Sequence, residues 1–195
     1  VARGIDWLQP RVDKLINRFK SGHNPGSRHR NMYDLGIAAI ALAEAAAMTG
    51  NPQLRDAAHR AAAFIVQAQH EHAGGWRYRP NDTGDTSVVG WQIMAIVSAQ
   101  RTGFDIPEPT RKRALKYLDS VAKGPADALA AYQPNRNYEP AMAAEALFSR
   151  FLLDAPPEDK ALRHAQRYFL KHKPGGKDDL YYYYYASLAL MQRQD

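Results

Sequence analysis

The feature that most constrains this chain is a repeat with a period near fifty residues. A basic residue, then Gly or Ala, then two residues, then an aromatic and an apolar residue recur along it. The pattern reads Arg3-Gly4-x-x-Trp7-Leu8, Arg60-Ala61-x-x-Phe64-Ile65 and Arg113-Ala114-x-x-Tyr117-Leu118. With histidine in the basic slot it returns as His164-Ala165-x-x-Tyr168-Phe169. The aromatics stand 57, 53 and 51 residues apart. Such regularity means that one supersecondary unit is copied, each copy needing its neighbours to bury its apolar face.

Each unit reads as two helices. Asn51-Pro52 is an N-cap followed by proline at the first helical position, where its missing N–H costs nothing. From Pro52 to Gln69, Leu54, Ala58, Ala61, Ile65 and Ala68 fall on one face at helical spacing. A second helix follows in each unit: Tyr33 to Met48, Thr86 to Arg101, Pro140 to Leu152, and Leu180 to Gln192. Gly50 and Gly103 suit left-handed C-caps, and Pro107, Pro109, Pro156 and Pro157 mark helix starts. Strand signals are almost absent. The second helices are apolar nearly all round, which marks buried helices, whereas the first carry charge on one side. The expectation is an all-α chain of four antiparallel hairpins, about 1–50, 51–103, 104–155 and 156–195, with inner apolar and outer amphipathic layers. A straight solenoid of stacked hairpins is the alternative.

Composition narrows the function classes. The chain has 195 residues, 45% hydrophobic and 24% charged, which suits one folded domain. It has no cysteine, which excludes disulfides, a thiolate zinc site and a cysteine nucleophile. The net charge of +6 admits an acidic partner. Basic residues form no stripe interleaved with aromatics, so no nucleic-acid partner is expected. The segment Lys20 to Arg30 reads as a basic, mobile loop. The apolar run from Leu35 to Met48 is interrupted by Glu44 and falls short of the about 20 residues that span a bilayer, so no transmembrane segment is expected. The chain starts at Val1, three residues from a repeat motif, with no signal-peptide pattern. The expectation is a segment cut from a longer protein, with no localisation assigned.

The second unit continues from Arg60-Ala61-x-x-Phe64-Ile65-Val66 to Gln69, four residues, then Gly74-Gly75-Trp76. This resembles the Gln-Trp motif of squalene and oxidosqualene cyclases, and the chain resembles the prenyltransferase/squalene-cyclase repeat superfamily. The resemblance implies an α/α toroid, here a partial barrel, since a complete ring of that family has five to seven hairpins. It also implies a structural role for Gln69 and Trp76, which in the family tie neighbouring outer helices together. In the third unit Ala130-x-Tyr132-x-Pro134 stands where the second has Trp76-x-Tyr78-x-Pro80, and no matching Gln is present.

Bacterial members of that family protonate an alkene with the middle aspartate of an Asp-x-Asp-Asp-Thr motif. Such chemistry needs a dry, neutral carboxylic acid. The corresponding stretch is Asp82-Thr83-Gly84-Asp85-Thr86, so the donor position is glycine. Asp82 and Asp85 are the remaining catalytic candidates. Asp34, Glu139 and Asp179 also open inner helices, where an acid caps the helix or joins an acidic rim. Tyr33, Trp91 and Tyr138 lie at or near inner-helix starts, and five tyrosines run from Tyr181 to Tyr185. Tyr181, Tyr184 and Tyr185 share one helical face with Leu188. The ligand-binding candidates are therefore Tyr33, Asp34, Trp91, Tyr138, Glu139, Asp179, Tyr181 and Tyr184. The prenyltransferase branch binds zinc through Asp, Cys and His, a set this chain lacks. His70-Glu71-His72 has no recognised spacing to a third ligand, and Ser87 has no nucleophile-elbow context. No metal or cofactor is assigned.

The leading expectation is a ligand-binding or protein-interaction module. Its partner would be an apolar or isoprenoid-like small molecule, or a neighbouring domain or subunit at the open ends of the arc. The alternatives are a terpenoid-type enzyme with a modified acidic centre and, by analogy of fold, a polysaccharide-active enzyme.

Overall fold

The computed structural model describes residues 2–22, 31–173 and 179–192. Most of the basic segment from Lys20 to Arg30 lies outside the described residues. The chain is all-α in class. The described residues form eight helices: α1 Ala2–Lys20, α2 Asn31–Thr49, α3 Pro52–Gln67, α4 Thr86–Gln100, α5 Glu108–Val121, α6 Pro140–Leu152, α7 Asp159–Lys171 and α8 Leu180–Met191. A small antiparallel ribbon, β1 Ala122–Lys123 with β2 Leu129–Ala130, follows α5.

Local chemistry sets the helix starts. Asn51 Oδ1 accepts from Gln53 N and Leu54 N at 2.9 and 3.3 Å, with Pro52 in the first turn of α3. Asp85 and Asp179 cap α4 and α8, accepting from Val88 N and Tyr182 N at 3.0 Å each. Such a bond satisfies one of the N–H groups a helix start leaves open, worth about 1 kcal/mol.

The even-numbered helices form a consecutive row. α2 packs on α4, α4 on α6 and α6 on α8. They point the same way: Ser98 Oγ near the end of α4 donates to Glu44 Oε1 in the last half of α2, at 2.7 Å. At the opposite end the first turns of α2 and α8 meet, with Tyr33 and Tyr181 hydroxyls 3.1 Å apart. The odd-numbered helices carry the charge. Arg60 of α3 pairs with Asp13 of α1 at 3.0 Å, both half exposed, and Phe19 stacks on Phe64 beneath them at 5.3 Å.

By length and composition alone α2 is apolar enough to cross a membrane, a test that a buried core helix also passes. Here it packs against α1, α3 and α4, with Met32, Leu35, Leu42 and Ala43 wholly buried.

Candidate functional site

The most unusual residue in the interior is Glu145, on α6. It is completely buried among apolar helices. Gly90 of α4 makes the room: a Cβ there would collide with Glu145 Oε1. Glu145 Oε2 accepts from the Tyr181 hydroxyl at 2.9 Å, and Tyr33 donates to Tyr181 in turn at 3.1 Å. Burial pushes the Glu145 carboxyl well above the ordinary glutamate range. The hydrogen bond from Tyr181 and the nearby Tyr185 hydroxyl oppose the shift, and the negative charge of Asp85 adds to it. A carboxyl held dry in this way stays protonated and neutral.

Aromatic rings close around it. Trp91 stacks on Tyr184 at 6.2 Å and 10°, meets Tyr185 edge-on at 6.0 Å, and lies 6.0 Å from Tyr33. The Tyr185 hydroxyl points at Met94 Sδ, 3.8 Å away. Burial raises the pKa of Tyr33, Tyr181 and Tyr185, so all three hydroxyls remain protonated donors. Glu145 Oε1, Ser149 Oγ, Trp91 Nε1 and Gln92 Oε1 are buried with no hydrogen-bond partner among the described residues.

A cavity of about 280 Å³ continues along the same helix faces toward their C-terminal ends. All four even-numbered helices line it, with Ile40, Met94, Val97, Phe148, Leu152 and Leu188 as apolar walls. Glu44, Ser98 and Arg101 supply polar groups, and Tyr184 is shared with the aromatic cluster. A larger cavity of about 620 Å³ lies between the Gly84 loop, α5 and residues 133–136. Its polar side chains are exposed or bonded to backbone carbonyls, such as Gln133 to Gly84 O at 3.2 Å. It therefore offers a ligand less than the Glu145 interior does.

The structure gathers Tyr33, Trp91, Tyr181 and Tyr184 at this site. It does not bring the other candidates there. Tyr138 is 45% exposed and meets Tyr168 of α7 edge-on at 5.9 Å, with exposed Glu139 beside it. Asp34 is exposed in the first turn of α2, and Asp179 caps α8. Asp85 is fully buried. Its Oδ1 accepts from Val88 N and from Ser87 Oγ, the latter at 2.7 Å, and its Oδ2 pairs with Arg77 Nε at 3.2 Å. Asp82 Oδ2 accepts from Arg79 N at 3.1 Å within its own turn.

Gly84 has φ +121°, and a Cβ there would strike the Tyr117 ring and Gly75. The backbone thus demands glycine at the position where the sequence resemblance would put an acid. Gln69 Nε2 donates to Gly74 O at 2.9 Å and Thr110 O at 3.1 Å, while Arg113 Nε donates to Gln69 Oε1 at 2.9 Å. Trp76, fully buried, donates from Nε1 to Ile65 O at 2.7 Å. The first of these sets joins the end of α3 to the start of α5. Among the described residues no three His, Cys, Asp or Glu side chains are grouped to hold a metal, and His70 Nδ1 accepts from His72 N and Ala73 N.

Glu145 is the residue that the sequence analysis missed. Its signal was present: one acid inside the apolar run Ala141-Met-Ala-Ala-Glu-Ala-Leu-Phe148. Comparison with protein-family models, curated proteins and solved structures returned no match for this chain.

Proposed function

We propose that the chain is a squalene-cyclase/prenyltransferase-like repeat domain, a partial α/α toroid of four hairpins, that binds a small apolar molecule between its inner helices. The observation that carries this reading is the cavity lined by α2, α4, α6 and α8 together, with Trp91 and Tyr184 stacked at its inner end. Concave apolar sites with a few convergent polar groups are where small ligands bind. Calorimetric titration with geraniol and farnesol tests it. Saturable binding is expected, and Leu188→Trp, which fills the cavity, abolishes it without lowering the thermal midpoint. No binding by the wild-type chain would sink the reading.

Glu145 favours a second reading, a terpenoid-type enzyme with a relocated acid. A neutral, dry carboxyl beside aromatic rings is what protonation of an alkene requires. Turnover of squalene or a prenyl diphosphate, lost in Glu145→Ala, is the expected outcome. Absence of product with the wild-type chain removes this second reading alone.

A further inference from the structure

The larger cavity beside α5 offers less than the Glu145 interior to an apolar ligand; to an anion it offers more. Its volume of about 620 Å³ falls within the about 300–1,000 Å³ of small-molecule sites. The charged residues that line it are Lys116 of α5 and Arg136 of the 133–136 turn, with no acid among them. Both are exposed, and neither has an ion-pair partner among the described residues. The acids on the same segments are engaged elsewhere. Glu108 lies 3.6 Å from Lys112, and Asp119 pairs with Arg150 at 2.6 Å. Asp82 accepts from Arg79 N, and Asp85 is buried against Arg77. Two like charges lining one cavity repel each other and favour an anion between them.

The repeat supplies a comparison. A cavity of about 470 Å³ lies against α3, lined by Ala63, Phe64 and Gln67. These stand 53 residues before Lys116, Tyr117 and Ser120, which line the cavity on α5. The lining on α3 includes an acid, Asp13, which pairs with Arg60 at 3.0 Å, beside Lys20. Where α3 has Ala63, α5 has Lys116. The copy on α5 thus carries an added cation and no acid to answer it.

The walls of this copy are fixed before any ligand arrives, which lowers the cost of binding. Gly75 and Gly84 pack so closely on the Tyr117 ring that a Cβ on either would strike it. Gln133 Nε2 donates to Gly84 O at 3.2 Å, and Arg136 N donates to Gln133 O at 2.9 Å. These bonds hold the turn that carries Arg136 against the Gly84 loop.

We propose that this cavity binds a small phosphorylated polyol, of the sugar-phosphate class. Lys116 and Arg136 meet the phosphate, whose charge at pH 7 is about −1.5 to −2. Thr83 and Asn135 also line the cavity, and their side chains make no hydrogen bond among the described residues. They are free to donate to and accept from the hydroxyl groups. The apolar part of the lining is small, Ala73, Pro134 and buried Tyr117, so a prenyl or acyl chain would gain little there. This site is separate from the cavity of the proposed function and does not rest on it.

The probe is glucose 6-phosphate, titrated into the chain by calorimetry and followed by amide shifts in ¹⁵N-labelled protein. Saturable binding tighter than about 1 mM is expected, with shifts at Lys116, Ser120, Asn135 and Arg136. Glucose and inorganic phosphate should each bind at least about tenfold more weakly. Lys116→Gln and Arg136→Gln should each weaken binding by about tenfold or more. Lys112→Gln, on the same helix but outside the lining, should leave it unchanged. All three variants alter exposed positions, and thermal melts check that they fold. No saturable binding, or shifts confined to other residues, overturns the site. An equal loss in Lys112→Gln overturns it too, because the attraction would then come from the net charge of +6. Inorganic phosphate binding as tightly as the sugar phosphate overturns the polyol assignment.

Discussion

Glu145→Gln tests the central electrostatic claim through stability. The folded chain keeps a proton on Glu145 at pH values where the unfolded chain releases it, because burial raises the folded pKa. The contribution of a raised carboxyl is full below the ordinary glutamate range. It falls as pH rises, until the folded carboxyl ionises as well. Over that window the cost is about 1.4 kcal/mol for each pH unit. The amide in the Glu145→Gln variant would accept the Tyr181 hydrogen bond but bind no titrating proton. The two chains should therefore differ by a pH-independent offset near pH 4. From there the variant should gain on the wild type by up to about 1.4 kcal/mol per pH unit for as long as the folded carboxyl stays protonated, or about 3–6 °C in midpoint per unit. The assay is thermal and urea unfolding of both proteins from pH 4 to 8. Taking the difference cancels every other titrating group common to the two chains. A difference that stays flat across that range, or that favours the wild type as pH rises, would refute the claim that Glu145 is buried neutral.

Three further substitutions probe the packing. Gly84→Asp restores the cyclase motif on paper, yet it forces a side chain onto φ +121° and into Tyr117; a loss of about 2–4 kcal/mol in urea unfolding is expected, and an unchanged midpoint contradicts it. Gln69→Leu removes the bonds to Gly74 O, Thr110 O and Arg113 at once, so a loss of about 2–3 kcal/mol is expected, whereas a loss under about 0.5 kcal/mol would mean water replaces them. Gly90→Ala should raise helix propensity by about 1 kcal/mol but push a methyl into the Glu145 carboxyl; it is expected to destabilise the wild type and stabilise the Glu145→Ala chain, and equal effects in both backgrounds would deny the contact.

Much of the fold was legible because its determinants are local. Asn51, Asp85 and Asp179 cap helices with atoms two or three residues away, so short-range patterns place those helix starts. All-round apolarity in α2, α4 and α8 marked the helices that pack in a row. Periodicity also grouped Tyr181, Tyr184 and Tyr185, which the structure turns toward α4 and α6. The ribbon β1–β2 was invisible, since Ala122-Lys123 and Leu129-Ala130 are too short to alternate. The site was legible only in pieces. Tyr181 meets Glu145 across 36 residues and Tyr33 across 148, and no spacing rule reaches that far. Gly84 stood out as a missing acid, but only its positive φ gives the physical reason.

Two glycines of the even-numbered helices connect the repeat to the chemistry. Gly36 and Gly90 lie 54 residues apart, and Gln92 and Glu145 lie 53 apart, both close to the repeat period. A Cβ on Gly36 would collide with the Gln92 amide, just as one on Gly90 would collide with Glu145. The same slot is therefore built twice: one even-numbered helix omits a side chain and the next projects a long polar one into the gap. Gln92 uses its slot for packing, donating from Nε2 to Met32 O at 2.8 Å. Glu145 takes its bond from the following helix instead, through Tyr181. Exchanging an amide for an acid at this repeated position turns a packing device into a titratable one. Glu145→Gln makes the two slots chemically alike, which is why its signature is a slope with pH rather than a fixed loss of stability.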